Sequence, residues 1–304
     1  MSFTAKDVKE LREKTGCGMM DCKKALTSSD GDMEKAIDFL REKGLAAATK
    51  KSSRIAAEGL AMAYTNEDSS LGVAIEVNSE TDFVAKNADF QGFVKLCADT
   101  VMKENPASVE DLLEAKVEGG RAIKEVLQDK ILTIGENIKV RRFERLDGVV
   151  SAYVHAGGKI GVLVKFDVED KSVVSGDAFK VFAKDVAMQV AAAAPLYLKR
   201  EDVPAEVLEH EKKILKEQII QGGAPEKVAD KILEGKIGKY YKEVCLNEQV
   251  FVKDSKLSVS QYAEKVSKEL GTSIKINSFV RFEKGQGLEK KEDNFADEVA
   301  GMIK

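Results

Sequence analysis

Between residues 59 and 101 the apolar positions change period once, and the change marks where strands should give way to a helix. "LAMAYT" (60–65) and "LGVAIEV" (71–77) are alternating or continuous apolar runs joined by the polar "NEDSS", a pattern that predicts a β-hairpin. Downstream, Phe90, Phe93, Val94, Cys97, Ala98 and Val101 recur at spacings of three and four. That spacing makes one helical face, able to cover one side of a small sheet. "NIKVRRFE" (137–144) and "SIKINSFVRFE" (273–283) alternate well enough to be closing strands.

The unit repeats. A shift of 89 residues lays "GLAMAY" (59–64) on "GVVSAY" (148–153), "LGVAIEV" on "IGVLVKF" (160–166) and "FQGFVKLCADTV" (90–101) on "FKVFAKDVAMQV" (179–190). Twelve of the 43 positions from 59 to 101 are identical without a gap, so the pattern predicts a duplicated α/β unit. The match resumes as "RFE" at 142–144 against "RFE" at 281–283, an offset of 139 that gives the second copy 50 extra residues (139 less 89). Most of these fall within about 195–250, where Pro204 and Pro225 each open a helical stretch and "QGGAP" joins them, predicting an αα-hairpin. Leu208, Leu215 and Ile219 form an apolar stripe on one arm, Val228 and Ile232 on the other. The arms either pack on each other alone or also pair with another protein or subunit.

The first 58 residues follow another pattern. Thr4 can cap a helix that stops at Gly16, Gly18 leads into "MMDCKKAL", and Asp32 can cap "MEKAIDFLREKG", closed by Gly44. Three helices over 1–46, a linker over 47–58, a core N-subdomain over 59–146 and a C-subdomain over 147–290 make an α+β protein: a small helical domain, then two homologous α/β subdomains with small antiparallel sheets and the inserted hairpin.

Composition narrows the function more than the fold. The 304 residues are 43% hydrophobic and 33% charged, and no apolar run approaches the roughly 18 residues of a membrane span. The N-terminus has no apolar signal core, and the four cysteines form no CxxC pair or disulfide framework, so the expected setting is a reducing cytoplasm without membrane attachment. A net charge of −4 argues against direct nucleic-acid binding, and the basic "KKSSR" (50–54) reads as a solvated linker. The two histidines, His155 and His210, are far apart, and no phosphate-binding loop or nucleophile setting nominates an enzyme; no cofactor or metal is expected.

"NSETDFVAKN" (78–87) poses the sharpest question, because it puts Asp82 beside the large ring of Phe83 where strand passes to helix. The repeat supplies a control: Thr81, Asp82 and Phe83 correspond to Asp170, Lys171 and Ser172, whereas Val84 corresponds to Val173. The scaffold therefore needs the valine and does not need the ring. Phe83 is either core, sharing a face with Phe90 seven residues on, or offered to a partner. Met19 and Met20 point about 100° apart on a helix, so both cannot face one narrow core. Either one is core and one surface, or their flexible thioethers fill a partner's groove. "HAGGK" (155–159) reads as a glycine-rich hairpin turn.

"LREKTGCGMMDCKKAL", "VNSETDFVAKN", "HAGGKIGVLV" and "RFEKGQGLEK" together resemble the bacterial elongation factor Ts family over nearly the whole chain. The resemblance implies no enzyme activity but a guanine-nucleotide exchange factor for the GTPase elongation factor Tu. It also implies a ubiquitin-associated-like fold for the N-terminal domain and a C-terminal helix over 291–304. It implies that Thr81, Asp82, Phe83 and Val84 dislodge Mg²⁺ from the partner. Arg12, Met19 and Met20 would touch a helix of its GTPase domain, and His155, Gly157, Gly158 and Lys159 a second domain. Family members often carry Arg where Lys159 stands, which puts a bidentate contact there in doubt. Some members lack the hairpin; its presence here leaves open a homodimer through it, as a 2:2 complex.

Overall fold

The computed structural model describes residues 3–223 and 225–289; the helix expected over 291–304 lies outside the described residues. Local capping sets the first helices. Thr4 and Asp7 form a reciprocal capping box that starts α1 (Ala5–Thr15), and Gly16 ends it at φ 69°. Hydrogen bonding by the Thr4 amide and hydroxyl holds the Asp7 carboxyl below its ordinary pKa. After α2 (Met19–Ser28), the Asp32 side chain accepts the Lys35 amide to start α3 (Met33–Lys51). Leu11, Cys22, Ala25, Leu26, Ala36 and Leu40 form the buried seam of the three.

The first sheet-containing subdomain runs β1 (Glu58–Thr65), β2 (Leu71–Ser79), α4 (Asp82–Ala85), α5 (Ala88–Glu104), α6 (Val109–Glu114), α7 (Ile123–Ile134) and β3 (Lys139–Asp147). Its strands are antiparallel in the order β1-β2-β3. The second runs β4 (Val149–His155), β5 (Ile160–Val168), a 3₁₀ turn (Lys171–Ser175) and α8 (Asp177–Ala193), then the hairpin α9 (Ala205–Gln221) and α10 (Glu226–Val244). A ribbon of β6 (Val250–Phe251) and β7 (Asp254–Ser258) precedes α11 (Val259–Leu270) and β8 (Ile274–Glu283), and the sheet order is β4-β5-β8.

The helix α3 does not close at Gly44 as expected but continues to Lys51. Gly44 is retained inside it because α3 presses on α7: a Cβ at that position would lie 3.3 Å from the Gln128 carbonyl oxygen. Beyond the glycine, Ala48 packs on the core of the first subdomain, and Leu132 of α7 packs on the N-terminal seam. One helix thus belongs to two cores.

The duplication is visible to the residue. β2 and β5, and α5 and α8, occupy ranges 89 apart, and both central strands bulge at equivalent points, Glu76/Val77 and Lys165/Phe166. The closing strands correct the sequence alignment. Phe143 pairs with Ile75, and Phe279 pairs with Val164, the equivalent of Ile75, so the offset is 136 (279 less 143) rather than 139. The insertion is accordingly 47 residues (136 less 89), and the two "RFE" triplets are not equivalent. An odd slip of three exchanges the faces of a strand. Phe143 and Phe279 pack on the helix-covered cores, whereas Phe282 faces the other way.

What Phe282 faces is the second sheet. Ala61, Ala63, Ala74, Leu163 and Phe282 form a thin layer between the sheets, with helices on both outer faces. Covered on both sides, β2 reads as a continuous apolar run rather than an alternating one. Close approach depends on the paired Gly72 and Gly161: a Cβ on Gly72 would meet Leu163 Cδ2 at 2.9 Å, and one on Gly161 the Met62 carbonyl at 2.9 Å.

In the hairpin, Ile219, Ala229 and Ile237 are buried between the arms, whereas Val228 and Ile232 are exposed. The expected stripe on the second arm is therefore corrected. The less exposed face of α10 runs through Ala229, Leu233 and Ile237, its first two positions one residue on from Val228 and Ile232.

Candidate partner-binding surface

At the end of β2 the backbone must turn sharply from strand to helix, and the turn is fastened from a distance. Glu136, just after α7, accepts the amides of Glu80 and Thr81 through Oε2, both at 3.0 Å, and the Thr81 hydroxyl through Oε1 at 2.6 Å. Glu80 returns the bond by accepting the Asn137 amide at 2.6 Å, and pairs with Arg54 at 3.4 Å. The Ser79 hydroxyl adds a bond to the Thr81 carbonyl at 3.0 Å.

This turn divides the four expected residues by role. Thr81 is the N-cap of α4; its side chain makes no capping bond, and its hydroxyl donates to Glu136. Val84 is only 7% exposed and lies in the core, as does its counterpart in the other subdomain in part, since Val173 packs on that core. Asp82 is exposed and pairs with Lys86 at 3.3 Å. Phe83 is 77% exposed, with the Lys86 ammonium 5.7 Å from its ring centroid. The reading of Phe83 as core is overturned. The face shared with Phe90 does not exist, since α4 ends at Ala85 and Asn87 caps a new helix by accepting the Asp89 and Phe90 amides.

Met19 and Met20 are 46% and 63% exposed, so neither is core, and of the two alternatives the one with one inside and one out is overturned. The inward face of α2 begins one turn later, with Cys22, Ala25 and Leu26. Arg12 is exposed on α1. The structure brings the α1–α2 corner to the aromatic turn: Gly16, Phe83, Asp89 and Thr133 help wall a cleft of about 330 Å³.

The turn after β4 does not line that cleft. His155 is exposed, with Nδ1 3.1 Å from the Tyr153 hydroxyl. Ala156, Gly157 and Gly158 all take positive φ (48°, 64° and 103°). Gly157 and Lys159 are exposed, but Gly158 is buried against β1. Its carbonyl accepts the Ala61 amide at 2.8 Å, and a Cβ there would fall 2.3 Å from Leu60 Cδ2. Gly158 therefore shapes the turn from inside, joining the two subdomains.

A second buried cluster lies near these elements. Glu76 is fully buried and accepts Arg141 Nη1 (2.9 and 3.2 Å), Arg142 Nε (2.7 Å), Asn78 Nδ2 (3.1 Å) and the Gly285 amide (2.8 Å). Arg141 also reaches the Gln286 carbonyl at 2.7 Å, so the cluster ties the end of β8 to the first sheet. Sequence reading missed Glu136, Glu80 and Glu76. Their partners lie up to 209 residues away, so no local spacing marks them.

Among the described residues no group of three His, Cys, Asp or Glu side chains could hold a metal ion, and no helix is long and apolar enough to cross a membrane. The four cysteines are buried and unpaired, and burial pushes the Cys97 thiol up to about 12. The exposed features gathered here are two methionines, an aromatic ring and a histidine turn.

Comparison with known proteins is consistent across the length. The family model for elongation factor Ts matches residues 80–286. The chain is 53% identical over 303 residues to elongation factor Ts of Clostridium perfringens (strain SM101 / Type A), covering 99% of each chain. It is 52% identical over 306 residues to that of Clostridium kluyveri (strain ATCC 8527) and 50% over 304 to that of Clostridium botulinum (strain Alaska E43 / Type E3), again covering 99% of each.

Proposed function

This chain belongs to the elongation factor Ts family, and we propose from that premise that it is a guanine-nucleotide exchange factor, without catalytic chemistry of its own, that promotes GDP release from elongation factor Tu by displacing Mg²⁺ and so allows GTP to load. Bound GDP in such a GTPase is held by phosphate-loop amides, a lysine and a Mg²⁺ ion. An exchange factor weakens it by binding the nucleotide-poor conformation better, and GDP weakens the factor equally in return. A thousandfold weakening requires about 4 kcal/mol of differential binding.

Phe83 carries this reading: a ring 77% exposed on a turn whose backbone is fixed from within. Its burial in a partner supplies roughly 1.5–3 kcal/mol, a good part of the requirement but not all. The ring enters between partner helices and shifts the groups that order Mg²⁺, while Asp82 opposes the ion's original geometry. Arg12, Met19 and Met20 on the ubiquitin-associated-like domain, and the turn of His155, Gly157 and Lys159, hold the partner in place; Thr81, Val84 and Gly158 act from behind the surface. The division at 1–46, 47–58, 59–146 and 147–290 belongs to the same proposal, as does a 2:2 assembly in which the outward Val228 and Ile232 of two hairpins meet.

Stopped-flow release of fluorescent GDP from elongation factor Tu tests the lever. Phe83→Ala should slow release at least about tenfold, near 1.4 kcal/mol, while the thermal melt of the protein stays nearly unchanged. Normal release by a folded variant would overturn it. Light scattering with Ile232→Asp tests the assembly: a mass unchanged from the parent protein would end that part of the proposal.

A further inference from the structure

We propose that Glu136 is the positioning residue of the exchange lever, holding the Asp82–Phe83 turn in its presenting geometry; this rests on the reading of Phe83 given above. The two subdomains hold equivalent turns from equivalent places, but only the first uses a carboxylate. In the second, the Glu169 amide donates to the Ser273 carbonyl at 3.1 Å and the Asp170 amide to the Thr272 hydroxyl at 3.0 Å, while the Asp170 side chain accepts the Ser172 amide at 2.9 Å. In the first, the Thr81 hydroxyl donates to Glu136, 55 residues on in sequence, and the amides of Glu80 and Thr81 do the same.

A single turn of four residues is not stable alone, since helix nucleation fixes several dihedrals for one hydrogen bond. The first turn must therefore be held from outside. Glu136 is suited to the task because it follows α7, whose Ile123 and Ile131 are anchored in the core, and because Asn137 beside it is tied on both sides. The Asn137 amide donates to Glu80, and its side chain donates to the Arg54 carbonyl at 2.8 Å. Lys51 and Arg54, at the end of α3 and just past it, supply positive charge near Glu80 and Glu136. The geometry is thus a brace. A carboxylate on the frame grips the backbone immediately before the ring, and the ring itself is left free for a partner.

The test is a mutant cycle read in stopped-flow GDP release from elongation factor Tu, using the full chain. Glu136→Ala should lower the rate at saturating factor about tenfold and leave the half-saturating concentration within about threefold, because the docking residues are untouched. Glu136→Gln, which keeps an acceptor for the two amides, should recover most of the rate. In a Phe83→Ala background, Glu136→Ala should change the rate by less than about twofold, since its effect passes through the ring. Where Glu136→Ala fails to fold, Thr81→Val deletes only the hydroxyl bond and enters the same cycle. A slow Phe83→Ala beside a normal Glu136→Ala, or full additivity in the double variant, would overturn the brace alone. A normal rate for Phe83→Ala would overturn the lever and the brace together.

Discussion

The turns after β2 and β5 begin from the same scaffold and end with different surfaces. Both follow a bulged central strand, both turn a valine inward, fully at Val84 and in part at Val173, and both lead into a helix whose first inward ring is a phenylalanine, Phe90 or Phe179. One presents Asp82 and Phe83 and gives its Glu80 and Thr81 amides to the Glu136 carboxylate; the other presents Lys171 and Ser172 and gives the equivalent amides, of Glu169 and Asp170, to the Ser273 carbonyl and the Thr272 hydroxyl. The positions that agree between the copies are those the fold consumes. The positions that differ are free for function, and only one copy spends its freedom on an exposed ring.

The largest effect should separate two rings in the same segment. Phe90→Ala should cost about 3–5 kcal/mol in denaturant unfolding, because the ring is fully buried, whereas Phe83→Ala should stay within about 0.5 kcal/mol. Equal costs would dissolve the distinction between scaffold and surface. Next, the paired glycines should prove unequal. Gly161→Ala meets backbone and should cost about 1–3 kcal/mol, while Gly72→Ala meets the end of the Leu163 side chain and should cost less; thermal melts of the two variants decide this. Met19→Ala with Met20→Ala should weaken binding to elongation factor Tu about tenfold in calorimetry with little change in the melt. A destabilised protein of unchanged affinity would return the pair to a folding role. The smallest effect is expected from Ser172→Phe, which places a ring on the turn of the second subdomain: stability should shift by no more than about 0.5 kcal/mol and GDP release should not change. Any acceleration of release would mean that a ring suffices without the surrounding docking surface.

The same comparison explains how much was legible in advance. Elements with their own periodicity or caps were readable: the hairpin β1–β2, the amphipathic α5, the Thr4 and Asp32 caps and the proline-opened arms all match their local signals. Failures occurred where two plausible local readings competed. The stop at Gly44 was overruled because the glycine serves contact with α7 rather than termination. The "RFE" match chose the wrong register because three shared letters outweighed the alternation of faces, which only pairing to β5 fixes. Within the site, the internal repeat singled out Phe83 by contrast with Ser172, but the brace behind it left no trace.

Caps, periodicity and identity at a fixed offset are carried by near neighbours along the chain, so most elements, their duplication and the residues left over from it could be read from the letters. Which leftover residues face outward, and what steadies them, was settled by packing. Exposure depends on how sheets and helices close over one another, and a carboxylate 55 residues away becomes a neighbour only after they have closed.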